Sequence, residues 1–374
     1  MNVLIVSGIW PPDVGGPASH APELAEYLEA RGHRVEVVTT AERAPARESY
    51  PVGWTKRSLP RGVRHVDAAA RIARAARRAD VAYTTGMLVR SSLGTALARR
   101  PVVMKLTSDP AYERSLRYDL FSGDLDEFQR VDGPRLRALR RINDVALRRA
   151  AHLVVPSEAL RRLAIGWGIA PDRVTLLPNP VAAPELAPRD ELRARHGFTG
   201  PTLAFAGRLV PQKSIDVALR ALAQLDAVTL VLAGEGGEAE GMKALARELG
   251  VDGRARFLGA QPRTTVFELL AAADAALLSS SWENFPHVVV EALAVGTPVI
   301  STDVGGVGEI VRDGENGVLV PIGDPDALAA AVRRYLGDQE LQARLRAAAA
   351  GSIERFAPDA IYGRLEEILR GAAR

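Results

Sequence analysis

Short apolar runs alternate with stretches of helical period along the whole chain, and few folds accept that alternation. Residues 3–6 form the first apolar run. A loop carrying Gly8, Gly15 and Gly16 follows, then a helical pattern over 18–30 with Leu24, Tyr27 and Leu28 on one face, then a second run over 34–39. Strand, loop, helix, strand is a βαβ unit, and its crossover sets the two strands parallel in one sheet. The pattern continues with strands expected at 81–84, 101–106, 153–155 and 174–177, and helices at 67–79, 88–99 and 135–150. Residues 41–62 read as irregular and 111–134 as a loop without a period. On the helix at 135–150, Leu136, Leu139, Ile142 and Val145 or Ala146 fall on one side, with Arg137, Arg140, Arg141 and Arg148 on or near the other.

A linker-like stretch with Pro184, Pro188 and one short helix, 181–200, separates this series from a second one. There, strands are expected at 202–206, 228–233, 256–259, 275–278, 299–301 and 317–320. Helices fall between them, and three more follow at 325–336, 338–350 and 358–371. Two successive βα series predict two doubly wound α/β domains facing each other.

At 374 residues and 47% hydrophobic, the chain has material for two cores. Cysteine is absent, which excludes a disulfide framework, a thiol nucleophile and a Cys-ligated metal. The six histidines show no His-x-x-His or His-Glu-x-x-His spacing, so no metal site is expected. No signal peptide and no apolar run of membrane-spanning length is visible, and the expectation is a cytoplasmic protein. The net charge of +3 conceals two unlike halves. Residues 1–180 hold 28 Lys+Arg against 19 Asp+Glu, and the remainder 20 against 26. The basic half leaves open a peripheral contact with an anionic membrane face; nothing points to nucleic acid.

Chemistry concentrates in residues 282–303. A buried strand should end in Ser279, Ser280 and Ser281, and Pro286 fits the first turn of a helix that stops before Gly296. Glu283 then sits in the loop at the helix mouth and Glu291 inside the helix. The amides of residues 287–289 would open onto an anion such as phosphate. Two carboxylates beside an anion site suit a ligand that is both phosphorylated and polyhydroxylated. Acidic residues around a helix start are also common for reasons of the dipole alone. Arg208 and Lys213 share one loop after the strand at 202–206, where two cations can neutralise a diphosphate or simply face solvent.

The run Gly207-Arg208-x4-Lys213, the pair Glu283-x7-Glu291, the Gly15-Gly16 loop, Pro156-Ser157-Glu158 and Leu177-Pro178-Asn179 occur in one order and spacing. With them the chain resembles, over essentially its whole length, the retaining two-domain glycosyltransferases of family 4, which have the GT-B fold. The resemblance implies an N-terminal acceptor-side domain over 1–180, with residues 358–374 packing back on it, and a nucleotide-sugar domain over 181–357. It implies transfer of a hexosyl group from a UDP- or GDP-sugar, without metal or other cofactor. The acceptor is left open among a glycan, a lipid-linked sugar and a small molecule. Glu291 would bind the ribose hydroxyls, Glu283 the donor sugar, and Arg208 and Lys213 the diphosphate. Asn284, Phe285, Pro286 and His287 would offer backbone groups to sugar and phosphates, Phe257 and Leu258 would meet the base, and Gly15 and Gly16 would approach the donor. Where many members carry a histidine, this chain has Thr107-Ser108-Asp109-Pro110; Asp109, Lys105 and Glu113 are the acceptor-side candidates.

Other classes compete with this reading. One is a non-catalytic binder of sugar nucleotides or anionic polymers. A two-domain Rossmann oxidoreductase would need the Gly-x-Gly-x-x-Gly fingerprint that the first loop lacks. A phosphorylase of the same fold would carry pyridoxal phosphate on a lysine.

Overall fold

Val3 and Ile5 are buried in one apolar cluster, Leu4 and Val6 in another. That alternation is the pleat of β1 (Asn2–Ser7), a strand covered on both faces. The computed structural model describes residues 1–13, 16–123 and 125–374, with the side chains of residues 16–19 and 126 outside the description. The chain divides into two units, Met1–Pro180 with Asp359–Arg374, and Val181–Pro358.

In the first unit β1 is followed by α1 (Gly16–Ala30), β2 (Arg34–Ala41), β3 (Val52–Lys56), α2 (Arg61–Ala76), β4 (Val81–Thr85) and α3 (Leu88–Ala98). Next come β5 (Val102–Lys105), α4 (Pro110–Arg117), α5 (Leu125–Arg130), α6 (Pro134–Arg148), β6 (His152–Val155), α7 (Glu158–Gly166) and β7 (Val174–Leu176). Its sheet has the order β3-β2-β1-β4-β5-β6-β7, and every neighbouring pair is parallel.

The second unit runs α8 (Arg189–His196), β8 (Thr202–Ala206), α9 (Ile215–Ala223), β9 (Thr229–Ala233), α10 (Ala239–Glu248), β10 (Ala255–Gly259) and α11 (Arg263–Ala272). It continues with β11 (Ala275–Leu278), α12 (His287–Ala294), β12 (Val299–Thr302), β13 (Gly317–Val320), α13 (Pro325–Gly337) and α14 (Gln339–Ala349). The six strands lie in the order β10-β9-β8-β11-β12-β13, again all parallel. In both sheets the first strand of the series lies beside the fourth, so the winding direction reverses between β1 and β4 and between β8 and β11. Open parallel sheets bind ligands beyond the carboxyl ends of the strands at such a reversal.

The last helix, α15 (Pro358–Ala372), belongs to the first unit. Ile361, Tyr362, Leu365 and Leu369 recur at three- and four-residue spacing and are buried with Val3, Ile5, Leu24 and Leu28. Between them Glu366, only 4% exposed, receives Arg31 Nε at 2.6 Å and Arg370 Nη2 at 2.6 Å, with His33 Nε2 at 2.9 Å. Burial pushes this carboxyl up; hydrogen bonds from His33, Arg370 and Arg31 outweigh that and hold it down at about 2.

Three sequence expectations are corrected. Residues 41–62 are not wholly irregular: β3 pairs in parallel with β2 at the sheet edge. Residues 111–134 contain α4 and α5. On α6 the apolar stripe is rotated, so that Leu136, Asn143, Ala146 and Leu147 are buried while Ile142 and Val145 are exposed. The expected set stepped by three residues throughout, which drifts off one face of a helix that turns every 3.6.

Candidate active site

Two loops flank the winding reversal of the second sheet. One follows β8 and passes through a 3-10 turn, Pro211–Lys213; the other follows β11 and leads into α12. Gln212 stitches them together. Its Nε2 donates to the carbonyl of Trp282 at 2.7 Å, and its own carbonyl accepts from the Ser281 amide at 2.9 Å. Ser279 Oγ donates to the carbonyl of Lys213 at 2.9 Å. The ammonium of Lys213 thereby reaches Glu283 Oε1, which also accepts from Ser280 Oγ at 2.7 Å. Glu283 is 6% exposed, and an ion pair this buried carries a large desolvation cost unless its geometry is well supported. Support comes from these three hydrogen bonds between the loops and from the turn after β12. There Gly306 donates its amide to the carbonyl of Glu283 at 3.2 Å, and Gly305, at φ +53°, lies so close that a Cβ would fall 1.7 Å from that same oxygen. Only glycine fits at 305.

Glu291 stands apart from this pair. It lies on α12 with a largely buried side chain and pairs with Arg263 Nε of α11 at 3.1 Å. Arg208 is exposed on the loop after β8. Asn284 and His287 are half-buried. The ring of Phe285 belongs to the core, edge-on to Phe356 at 5.6 Å and to His287 at 6.1 Å. Pro286 is the N-cap of α12 and not its first helical residue. The expectation that the amides of 287–289 are all open is corrected at Val289, whose N–H donates to the carbonyl of Pro286 at 3.1 Å. A tight first turn has closed on itself. Phe257 and Leu258 lie half-buried on β10, the edge strand, two strands from the Lys213 loop.

In the first unit Lys105 and Asp109 have separate partners. Gly15 lies outside the described residues, and Gly16 opens α1. Lys105, at the end of β5, is 4% exposed, and burial lowers its pKa to about 7. Its Nζ lies 3.4 Å from His20 Nε2. Asp109 caps α4: Oδ1 accepts from the amides of Ala111 and Tyr112 at 2.7 and 3.1 Å, and Oδ2 from Gln129 at 2.9 Å. Glu113 is exposed in the first turn of the same helix. Sequence reasoning passed over Ser280 and Gln212. The three serines ending β11 were the available signal for the first; nothing local marked the second. Among the described residues no group of three or more His, Asp or Glu could hold a metal ion.

Two all-parallel, doubly wound sheets are the architecture of the GT-B glycosyltransferases. Solved structures of that fold match the chain throughout. Anabaena HepE, in complex with UDP and glucose, has a TM-score of 0.81 at 23% identity, covering 99% of this chain and all of that one. Sucrose-phosphate synthase from Thermosynechococcus elongatus has a TM-score of 0.82 at 21% identity, covering 99% of each. The family model "Glycosyl transferases group 1" matches residues 188–351, and "Glycosyl transferase 4-like domain" matches residues 15–180. Glycogen synthase of Mycobacterium tuberculosis is 32% identical, across 93% of this chain and 89% of its own length. D-inositol 3-phosphate glycosyltransferase of Thermomonospora curvata is 30% identical, across 96% and 91%. The chain belongs to the group 1 glycosyl transferases, the retaining family 4 enzymes of GT-B fold.

Proposed function

We propose that the protein transfers a hexosyl group, with retention, from a UDP-linked sugar to a hydroxyl acceptor, without a metal. The observation that carries this reading is the Lys213–Glu283–Ser280 cluster at the winding reversal. Glu283 Oε1 is occupied by Lys213 and Ser280, while Oε2 has no protein hydrogen bond among the described residues. Oε2 is thus ready to accept a donor-sugar hydroxyl. Lys213, with Arg208 on the same loop, supplies the positive charge that a departing diphosphate needs. The bond from the anomeric carbon to the phosphate oxygen breaks first, and its electron pair stays on the diphosphate. The acceptor oxygen then bonds to the same face of that carbon, and its proton passes to the departing phosphate oxygen. No side-chain nucleophile enters this sequence. Glu291, set by Arg263, takes the ribose hydroxyls. The solved complex of HepE with UDP and glucose supports the choice of uridine.

Thermal unfolding with UDP-glucose, GDP-mannose and ADP-glucose, each with and without EDTA, tests this. The UDP sugar should raise the melting temperature equally in both, since a ligand at a hundred times its Kd adds about 2.7 kcal/mol to the folded state. No shift with any of the three, or a shift abolished by chelation, rejects the reading. The product linkage, followed by NMR, should keep the donor's α configuration.

A second surface bears on the acceptor. Ile142 and Val145 of α6 are 48% and 65% exposed, and Leu93 and Leu97 of the neighbouring α3 are 53% and 61% exposed. Arg141 lies beside them on the exposed face. Arg140 is turned inward to the carbonyl of Val131 at 2.9 Å, Arg137 pairs with Asp132, and Arg148 bonds the carbonyl of Trp167. The face is therefore mixed, with exposed apolar side chains among the exposed Arg137, Arg141 and Arg148. Among the described residues no helix is long and apolar enough to cross a membrane. We propose that this face rests on an anionic lipid surface. The protein should sediment with phosphatidylglycerol vesicles, and Ile142→Asp with Val145→Asp should abolish that at any salt concentration. Failure to sediment at low ionic strength rejects the contact.

A further inference from the structure

Two helices of the first unit begin with arginine where a helix start favours a carboxylate. The first turn of α2 holds Arg61 and Arg64 and no acidic residue; that of α3 holds Arg90 and again no acidic residue. The amino end of a helix is already positive, so these placements cost stability. Arg114 lies one turn into α4. The three helices follow β3, β4 and β5, so they start at the carboxyl ends of parallel strands, where such sheets take ligands.

The arginines gather from different helices. Arg61 lies over the Tyr118 ring at 5.9 Å, which ties the start of α2 to the end of α4. Arg64 is three residues from Arg61, and Arg114 four from Tyr118, so each falls on the same helix face as its neighbour. The Arg90 guanidinium is lowered to about 10, chiefly by burial and then by the charges of Arg64 and Arg114. His65, exposed on α2, is lowered by burial first and then by Arg90, Arg64, Arg114 and Arg61. The nearby carboxylates do not answer this charge. Asp13 is paired with Arg57 and Asp67 with Arg71, and Glu113 acts on Arg114 without an ion pair. Among the described residues neither Arg90 nor Arg114 has an ion pair or a side-chain hydrogen bond. Nη1 of Arg90 is shut off from solvent, so Arg90 serves as charge behind the others. Arg61 is exposed, and Arg64 and Arg114 are half-buried.

A carboxylate has one charge and fills one guanidinium fork. A phosphate ester has about two charges and three free oxygens, enough for several forks at once. We propose that Arg61, Arg64 and Arg114 hold the phosphate of a phosphate ester, and that this ester is the acceptor. The acceptor role rests on the transfer reading above; the binding does not. Val63 and Val66 of α2 and Leu116 of α4 are also exposed, so the ester's carrier is tested both as a sugar and as a lipid.

His65 reports on the site. The chain has six histidines, and the His65 ring signal is assigned by NMR from its loss in His65→Gln. In the full-length protein His65 should ionise at higher pH when glucose 1-phosphate or geranyl phosphate is bound, because the anion offsets the arginines. Glucose, and sodium chloride at the same ionic strength, should not reproduce the rise. The ester that binds more tightly identifies the carrier. Arg61→Gln with Arg114→Gln should weaken that ester more than tenfold. The double variant should melt no lower than the parent, since it removes like charges, and so show that it folds. Saturating UDP should leave the response to the ester in place. No rise with either ester, or a rise matched by chloride, overturns the proposal. Displacement of the ester by UDP also overturns it, by assigning the arginines to the donor. Failure of the transfer reading shows separately, as no melting shift with any of the three nucleotide sugars.

Discussion

Lys213→Ala should lower kcat/KM for the donor by at least about a hundredfold, the scale seen when a positioned charge on a developing anion is removed. Lys213 serves twice in the proposed reaction. Before the donor arrives it neutralises the buried carboxylate of Glu283; with the donor bound it also faces the leaving diphosphate. Its removal leaves Glu283 charged, buried and held only by Ser280. The protein should therefore lose stability too, by about 3–5 kcal/mol as for other broken buried pairs. Lys213→Met with Glu283→Gln separates the two effects. The double variant should recover the stability, since no unpaired charge remains, and stay as inactive as Lys213→Ala. Asp109→Asn, which keeps most of the α4 cap, should cost far less turnover. Equal loss from Asp109→Asn and Lys213→Ala would place the chemistry elsewhere.

Glu366→Ala should destabilise the first unit by about 1.5–3 kcal/mol at neutral pH, because it strips the shared carboxylate from His33, Arg31 and Arg370. The pH dependence has a definite sign. In the folded protein this carboxyl is held at about 2, below its ordinary value of 4.5. Its contribution is therefore complete above about 4.5 and lost as the pH falls toward 2. Urea unfolding of the two proteins should show a gap that is constant from pH 7 to about 5 and narrows below that. The subtraction cancels the other carboxylates, provided they are distant enough to add independently. A gap that stays the same at pH 3 would show that Glu366 contributes by packing and not by charge.

The two parallel sheets were legible because their central strands are apolar on both faces. Residues 3–6 and 275–278 read as short continuous runs, and strands buried on both sides look like that. β3 was missed because Val-Gly-Trp-Thr-Lys lies on the sheet edge, contains a glycine and follows Pro51, so neither alternation nor a continuous run marks it. α4 and α5 are eight and six residues long, too short to establish a period. Yet Asp109-Pro110 is a helix-start signal, an N-cap residue before proline, and it was taken for chemistry. The order of Lys213, Glu283 and Glu291 could be read from the sequence, but their pairing could not. That Lys213 faces Glu283 and that Glu291 faces Arg263 depends on loops and helices bringing together residues 70 and 28 positions apart. Gln212 carried no signal at all, since an amide side chain takes its meaning from what surrounds it.

The helix made of residues 358–372 closes a core whose other buried members all come from the first unit, from Val3 to Leu177. A ribosome making this protein releases the second unit's strands, β8 to β13, before that helix exists. The second unit can settle on its own as it emerges, whereas the first must wait with Leu24, Leu28 and Ile5 uncovered on one face until synthesis is nearly over. Domains generally fold in the order in which they are made. Here the order is inverted: the half that begins the chain is the last to be finished, and its exposed face is what a nascent-chain chaperone would find to hold.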